Sequence, residues 1–213
     1  MISTRDLSAM PDLAGFRRLA RSLAMLDAIL SPNWDSRYYS FDSKWAEGEM
    51  MASMRNGSGD MWHALLSARG IGLVGLAHES AMYRMDNPWT GVFDSVPAAF
   101  ADVVAEPAFE PGNATFCIWR APADVVWQVG AVQYPPADDP DGSEELLAIL
   151  DADPRTYQAW AETYYERTVA RAAVEAIYAH QTLSEGLIWS LNSKVTLGSL
   201  EDDVLEIGYP DAD

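Results

Sequence analysis

The stretch Glu49–Leu76, EMMASMRNGSGDMWHALLSARGIGLVGL, decides the fold of this chain. Its three apolar runs are separated by Asn56-Gly57-Ser58-Gly59 and by Arg69-Gly70, and Gly and Asn are the residues that adopt the positive φ angles of tight hairpins. A further turn string, Ala46-Glu47-Gly48, precedes the stretch. The sequence therefore predicts an antiparallel meander of four strands over residues 33–79.

The side-chain alternation along these strands divides the residues between two faces, if each turn closes as a simple hairpin. One face is apolar and is expected to form the core: Tyr39, Phe41, Met50, Ala52, Met54, Met61, His63, Leu65, Val74, Leu76 and His78. The other face is mixed: Tyr38, Asp42, Glu49, Met51, Ser53, Trp62, Ala64 and Ala77. The mixed face is open to three uses: solvation, a cover of helices, or binding.

The segments on either side of the meander are mostly helical in pattern. Apolar residues at spacings of three and four predict an amphipathic helix over residues 11–30, with Arg17, Arg18 and Arg21 on a solvated side. Further helices are predicted at 96–105, 143–150, 154–167, 171–180 and 183–191. Strands are predicted at 114–120 and 124–129, with a short one at 204–207.

These elements place the chain in the α+β class. We expect an antiparallel meander-type sheet of about six strands, an N-terminal helix and a mostly helical C-terminal half. The Pro- and Asp-rich connection at 134–142 is a candidate sub-boundary. A single domain over residues 1–213 is preferred, because the later helices are short and need a sheet face to pack against.

No motif identifies a cofactor, a metal site or a catalytic residue. The string GIGLVG at 70–75 has the glycine spacing of a dinucleotide-binding loop, but a strand follows it where a helix is required. His63 and His78 lie diagonally on adjacent predicted strands without a third ligand, which favours two core histidines. Cys117 lies in an apolar run and is predicted to be a buried hydrophobic residue, so the sequence supports no nucleophilic site. An enzymatic role stays undecided, with a non-enzymatic role favoured.

The charge of the chain is divided unequally along its length. Residues 1–100 carry nine Lys and Arg against eleven Asp and Glu, whereas residues 101–213 carry five against twenty-one. The net charge of −18 is therefore concentrated in the second half. An acidic surface repels phosphate, so nucleic acid and anionic membranes are not expected partners. The lone cysteine, and the lack of a leader pattern or a long apolar run, favour the cytoplasm.

Several distinctive strings resemble a family of uncharacterised bacterial proteins of similar length. These are WDSRYYSFDSKWAEGEMMASMRNGSGD at 34–60, ATFCIWR at 114–120, ETYYE at 162–166 and EAIYAH at 175–180. The resemblance spans most of the chain. It implies a bacterial, soluble, cytoplasmic protein, and it brings no activity, cofactor or catalytic residue with it.

The charge pattern leads to the first functional hypothesis, a non-enzymatic binding protein that docks a basic protein partner. Small acidic immunity proteins that neutralise nuclease toxins act in this manner, and complementary charge accelerates such encounters. The candidate partner-binding residues are Glu201, Asp202, Asp203 and Glu206, in a terminal acidic group that continues to Asp211 and Asp213.

Two alternatives come from the mixed face of the meander. The first is an enzyme or small-molecule-binding protein, because aromatic rings beside carboxylates can hold a polar or cationic ligand. Its candidate ligand-binding residues are Tyr38, Asp42, Glu49 and Trp62. The second is a homodimer that pairs through exposed aromatic side chains.

Overall fold

A six-stranded antiparallel sheet forms the centre of the fold. A computed structural model describes residues 2–210, and the six strands within this range pair in chain order. They are β1 (Tyr39–Ala46), β2 (Glu49–Arg55), β3 (Met61–Ser67), β4 (Gly70–Leu76), β5 (Phe116–Arg120) and β6 (Gln128–Val129). The predicted meander and the predicted α+β class are confirmed.

Seven α-helices lie within the same range. They are α1 (Leu13–Leu30), α2 (Ala101–Ala105), α3 (Ser143–Leu147), α4 (Pro154–Tyr164), α5 (Arg171–Tyr178), α6 (Glu185–Leu191) and α7 (Glu201–Ile207). The N-terminal helix and the helical C-terminal half are confirmed. The strand predicted at 204–207 was wrong, since these residues belong to α7. The acids in its first turn favour the positive end of a helix dipole, and Gly208 ends the helix at a φ of 67°.

The predicted register fails at the turn between β2 and β3. Met54 pairs with Trp62, and Arg55 pairs with Met61, so the loop contains all of residues 56–60. Asp60 belongs to the turn because Asn56 Nδ2 donates to its Oδ2 at 2.7 Å and the Asn56 N–H donates to its carbonyl at 3.1 Å. The loop is therefore one residue longer than predicted, which exchanges the two faces of β3 and β4.

Both faces of the sheet are buried, each in its own core. The face toward α1 contains Tyr39, Phe41, Ala52, Met54, Trp62, Ala64, Leu66, Ile71, Leu73, Phe116 and Ile118. The opposite face contributes Leu65, Val74, Cys117 and Trp119 to a second core. His63 lies on this second face, opposite Val74, so the predicted grouping of His63 with Tyr39 and Phe41 was wrong.

Helix α1 is buried between the sheet and the C-terminal helices rather than exposed on the surface. Helix α5 covers it from outside, where Ser22 Oγ donates to the Ile177 carbonyl at 3.2 Å. Arg21 is buried, with a relative exposure of 7%. The predicted solvated position was therefore wrong for Arg21, because the sequence does not reveal that the C-terminal helices return to cover α1, whereas Arg17 and Arg18 are half-buried.

Residues between β4 and β5 cover the opposite face of the sheet. Their apolar side chains include Met82, Val92, Phe100, Val103 and Phe109. The glycine string at 70–75 is part of β4 and serves packing. A Cβ on Gly72 would lie 2.7 Å from Val103, and one on Gly75 would lie 2.0 Å from the Phe116 ring.

The 134–142 connection is held against the N-terminal segment and against the start of β5. Thr115 Oγ1 donates to the Asp141 carbonyl at 2.8 Å, and Tyr134 donates to Thr4 Oγ1 at 3.0 Å. Asp141 is buried and accepts the Ser143 N–H at 3.0 Å, at the start of α3. The sequence predicted that acids in this run stabilise the start of a helix, and Asp141 does so at the start of α3.

Within residues 2–210, none of the helices has the length and apolar character needed to cross a bilayer.

Candidate functional site

The four residues proposed as a ligand site do not share a face. Trp62 lies in the core beside α1, where its Nε1 donates to the Leu146 carbonyl at 3.2 Å. Asp42 pairs with Met51 on the opposite face of the sheet, and Glu49 lies two residues along the same strand from Met51. The predicted grouping of Trp62 with these carboxylates was wrong, because the five-residue turn exchanges the faces of β3.

Asp42 and Glu49 take part in local structure. Asp42 Oδ1 accepts the Lys44 N–H at 2.7 Å within β1. Glu49 pairs with Arg69 at 2.8 Å, and the same guanidinium contacts Asp102 at 2.6 Å. Each of these contacts has a structural role, so Asp42 and Glu49 are already engaged within residues 2–210.

Tyr38 belongs instead to a cluster of aromatic rings between β1 and α4. Its ring centroid lies 4.8 Å from that of Trp160 and 5.1 Å from that of Tyr164, both in edge-on geometry. Trp160 and Tyr164 stack at 5.2 Å with an interplanar angle of 10°. Tyr39 contacts Trp160 at 5.2 Å from the core side. We call the surface that these rings border the aromatic cleft.

A small cavity of about 110 Å³ lies in the aromatic cleft. Its lining consists of Tyr38, Tyr39, Met54, Glu145, Leu146, Ala148, Ile149, Thr156 and Trp160. The rings and Met54 come from the sheet and α4, whereas Glu145 and its neighbours come from α3 and the turn that follows it. The cleft thus forms where three elements distant in sequence meet.

The aromatic cleft is electrically negative. Burial raises the pKa of Tyr38 to about 12, and the charges of Glu145 and Asp60 add to this rise. Asp60 is partly buried, yet hydrogen bonds from His78 and Asn56 outweigh the desolvation and lower its pKa. The Asp60 carboxylate is therefore ionised at neutral pH, and Asp60 and Glu145 both lie close enough to act on the Tyr38 hydroxyl.

Asp27 of α1 fixes the backbone beneath the cleft. One of its carboxylate oxygens accepts the N–H groups of Tyr38 and Tyr39, each at 2.8 Å. The other accepts the Tyr157 hydroxyl at 2.9 Å. Burial raises the pKa of Asp27 to about 6, although these hydrogen bonds act to lower it. The start of β1, and with it the Tyr38 ring, is held in place by this buried group.

The four predicted partner-binding acids lie on α7 and differ in their surroundings. Asp203 pairs with the buried Arg37 through two contacts, at 2.5 and 3.0 Å. Glu201 and Asp202 are exposed and form no ion pair within residues 2–210. Partial burial raises the pKa of Glu206, and the negative charges of Asp42 and Asp203 raise it further. We call the set Glu201, Asp202 and Glu206 the α7 acids.

The α7 acids and the aromatic cleft are connected through residues 34–38. Arg37 in this segment binds Asp203 of α7, and Tyr38 at its end contacts α4. At the start of this segment, the guanidinium of Arg55 lies over the exposed Trp34 ring, 3.9 Å from the ring centroid. Asp211 and Asp213, the rest of the predicted acidic group, lie outside the described residues.

The remaining titratable groups do not assemble into a reactive centre within residues 2–210. Burial lowers the pKa of His63 to about 4, and its ring stacks on Phe109 at 4.9 Å. His78 contacts Asp60 through Nδ1 at 2.7 Å. Cys117 is buried as predicted, and burial raises its pKa to about 12. No group of three metal-ligating side chains occurs in this part of the chain.

Comparison of the chain with models of protein families, with curated proteins and with solved structures gives no match.

Sequence reasoning selected Tyr38 but missed Trp160, Tyr164 and Glu145. A signal for two of them was present, because Trp160 and Tyr164 are four residues apart on a predicted helix and so share one of its faces. Nothing local indicated that this face meets Tyr38, more than a hundred residues earlier. Glu145 stood out only as one acid in a run.

Proposed function

We propose that this chain is a non-enzymatic binding protein that docks a basic protein partner on an acidic surface, in the manner of small acidic immunity proteins. The observation that carries the proposal is the surroundings of the α7 acids. Glu201 and Asp202 have no counterion within the described range, and Glu206 lies in the negative field of Asp42 and Asp203. Such a field attracts cations and accelerates encounter with a basic surface.

The charge balance of the whole chain supports the same proposal. Its 32 acidic residues face only 14 Lys and Arg, and several of these bases are already engaged. Arg37 binds Asp203, and Arg69 binds both Glu49 and Asp102. Because the acids outnumber the Lys and Arg residues by 18, internal ion pairing cannot neutralise most of the negative charge. A cytoplasmic location, as the sequence predicts, is part of the proposal.

Two alternatives have weaker support. A small-molecule site fits best in an open cleft of about 410 Å³ beside Arg84 and Trp89, away from the residues that the sequence selected. A homodimer could form through exposed apolar side chains such as Trp189 and Leu205, which are 54% and 64% exposed. Light scattering against protein concentration tests the homodimer.

The docking proposal is tested by calorimetric titration with a short oligoarginine peptide. Neutralising two α7 acids in the double variant E201Q/D202N should weaken binding about three- to tenfold, since surface charge pairs contribute roughly 0.2–1 kcal/mol each. The matched control is E47Q/D94N, which removes the same charge from exposed positions elsewhere. The control should bind nearly as tightly as the unmodified protein.

Equal weakening by the two double variants would mean that only net charge matters, and it would contradict a docking surface on α7. Absence of measurable binding by the unmodified protein at low salt would contradict the proposal as a whole.

A further inference from the structure

The cavity in the aromatic cleft has the size of one side chain rather than of a small-molecule ligand. Its volume is about 110 Å³. Pockets for drug-sized molecules begin at roughly 300 Å³ and bury most of the ligand. An occupant that reaches this cavity from a larger body, such as a side chain of a docked protein, fits its dimensions.

The chemistry of the lining favours a cation. Aromatic rings present a negative face to a cation, and the lining includes Tyr38 and Trp160. Glu145 adds an exposed carboxylate that forms no ion pair within residues 2–210. The lining contains no Lys or Arg.

Two other aromatic side chains at the surface have an arginine of the same chain over their rings. Arg55 lies over Trp34 at 3.9 Å, and Arg84 lies over Trp89 at 5.0 Å. Within the described residues, no Lys or Arg covers Tyr38, Trp160 or Tyr164. The rings of the cleft therefore differ from Trp34 and Trp89 in having no arginine over them within residues 2–210.

We infer that the aromatic cleft binds the guanidinium group of an arginine side chain on the basic partner. Guanidinium fits better than ammonium because it is planar, stacks on aromatic rings and pairs with a carboxylate through two N–H groups. Glu145 is the carboxylate that it would contact, with Tyr38 and Trp160 as the aromatic wall. This inference rests on the proposed docking function and assigns one residue type of the partner.

The test is calorimetric titration of the unmodified protein and of two variants with three short peptides. The peptides are oligoarginine, oligolysine and oligocitrulline, and citrulline keeps the shape of arginine without its charge. Oligoarginine should bind more tightly than oligolysine, and oligocitrulline should not bind measurably. Glu145→Gln should weaken oligoarginine binding about two- to fivefold, the range of an exposed charge pair, and Tyr38→Leu should weaken it about three- to tenfold, the range of a partly desolvated cation–aromatic contact.

Two control variants match these changes in type. Glu47→Gln removes an exposed carboxylate, and Trp189→Leu removes an exposed aromatic ring, both away from the cleft. Both controls should bind like the unmodified protein. Because Glu145 is exposed, Glu145→Gln should leave the fold intact and decides the result even if Tyr38→Leu is destabilised.

Unchanged affinity in Glu145→Gln would overturn the inference, as would equal affinity for oligolysine and oligoarginine. If E201Q/D202N weakens binding while Glu145→Gln does not, docking through α7 stands and the arginine cleft fails. If the unmodified protein binds none of the charged peptides, both fail together.

Discussion

Asp27 is the buried charge on which the start of β1 depends. It is fully enclosed, and it accepts hydrogen bonds from two backbone N–H groups and from the Tyr157 hydroxyl. Burial raises its pKa to about 6, above the ordinary value that it regains on unfolding. The folded state therefore binds this proton more tightly than the unfolded state, and the stabilisation is complete below about pH 4 and lost as pH rises through about 6.

The variant Asp27→Asn tests this linkage, because asparagine does not titrate. We predict that the advantage of the unmodified protein over Asp27→Asn, in free energy of unfolding, decreases by about 2 kcal/mol between pH 4 and pH 7. Denaturant unfolding of both proteins at each pH measures it. His63, with a pKa lowered to about 4, has the opposite dependence in both proteins and cancels in the difference. Parallel stability curves would show that Asp27 does not titrate as proposed.

Single residues of the candidate site were predictable only where the signal was local. Tyr38 stands among aromatic and charged residues at the start of a strand, and the sequence selected it. Glu145 and Trp160 have no local feature that marks them as its neighbours. Their position beside Tyr38 depends on how α3 and α4 pack against the sheet, which is a property of the tertiary fold.

At the scale of elements, the turn residues predicted where the strands lie, but they did not determine which residues pair across the β2–β3 turn. Gly and Asn identified each hairpin in the meander correctly. Whether Asp60 begins β3 or ends the turn depends on its bonds to Asn56 and to His78, eighteen residues further along the chain. One residue of difference moved Trp62 into the core and His63 to the opposite face.

Strand β4 depends on a glycine at the point where it meets the Phe116 ring of β5. A Cβ at Gly75 would lie 2.0 Å from this ring. We predict that Gly75→Ala lowers the free energy of unfolding by about 1–3 kcal/mol, the usual cost of overpacking a core. Denaturant unfolding measures the change.

The matched control for this substitution is Gly186→Ala in α6, where nothing lies within 4 Å of the added Cβ. Alanine there should stabilise the protein by about 0.4–1 kcal/mol, because it restricts the unfolded chain and favours a helix. The same sign of change in both variants would contradict the packing role of Gly75.

At the scale of the whole molecule, the second half of the chain carries most of the charge and also completes the core. Its helices cover α1, while the exposed parts of α3 and α7 present acids to solvent. The sequence predicted the charge imbalance and the helices. It did not predict that Asp203 is tied to Arg37, which separates one structural acid from the α7 acids beside it.

The central claim, docking by complementary charge, is tested most directly by the rate at which oligoarginine associates with the protein at increasing salt. We predict that the association rate constant falls at least about tenfold between low and physiological salt, as screening shortens the reach of the acidic surface. The slope should be shallower for E201Q/D202N than for E47Q/D94N. A rate constant independent of salt, or equal slopes in the two variants, would contradict the claim.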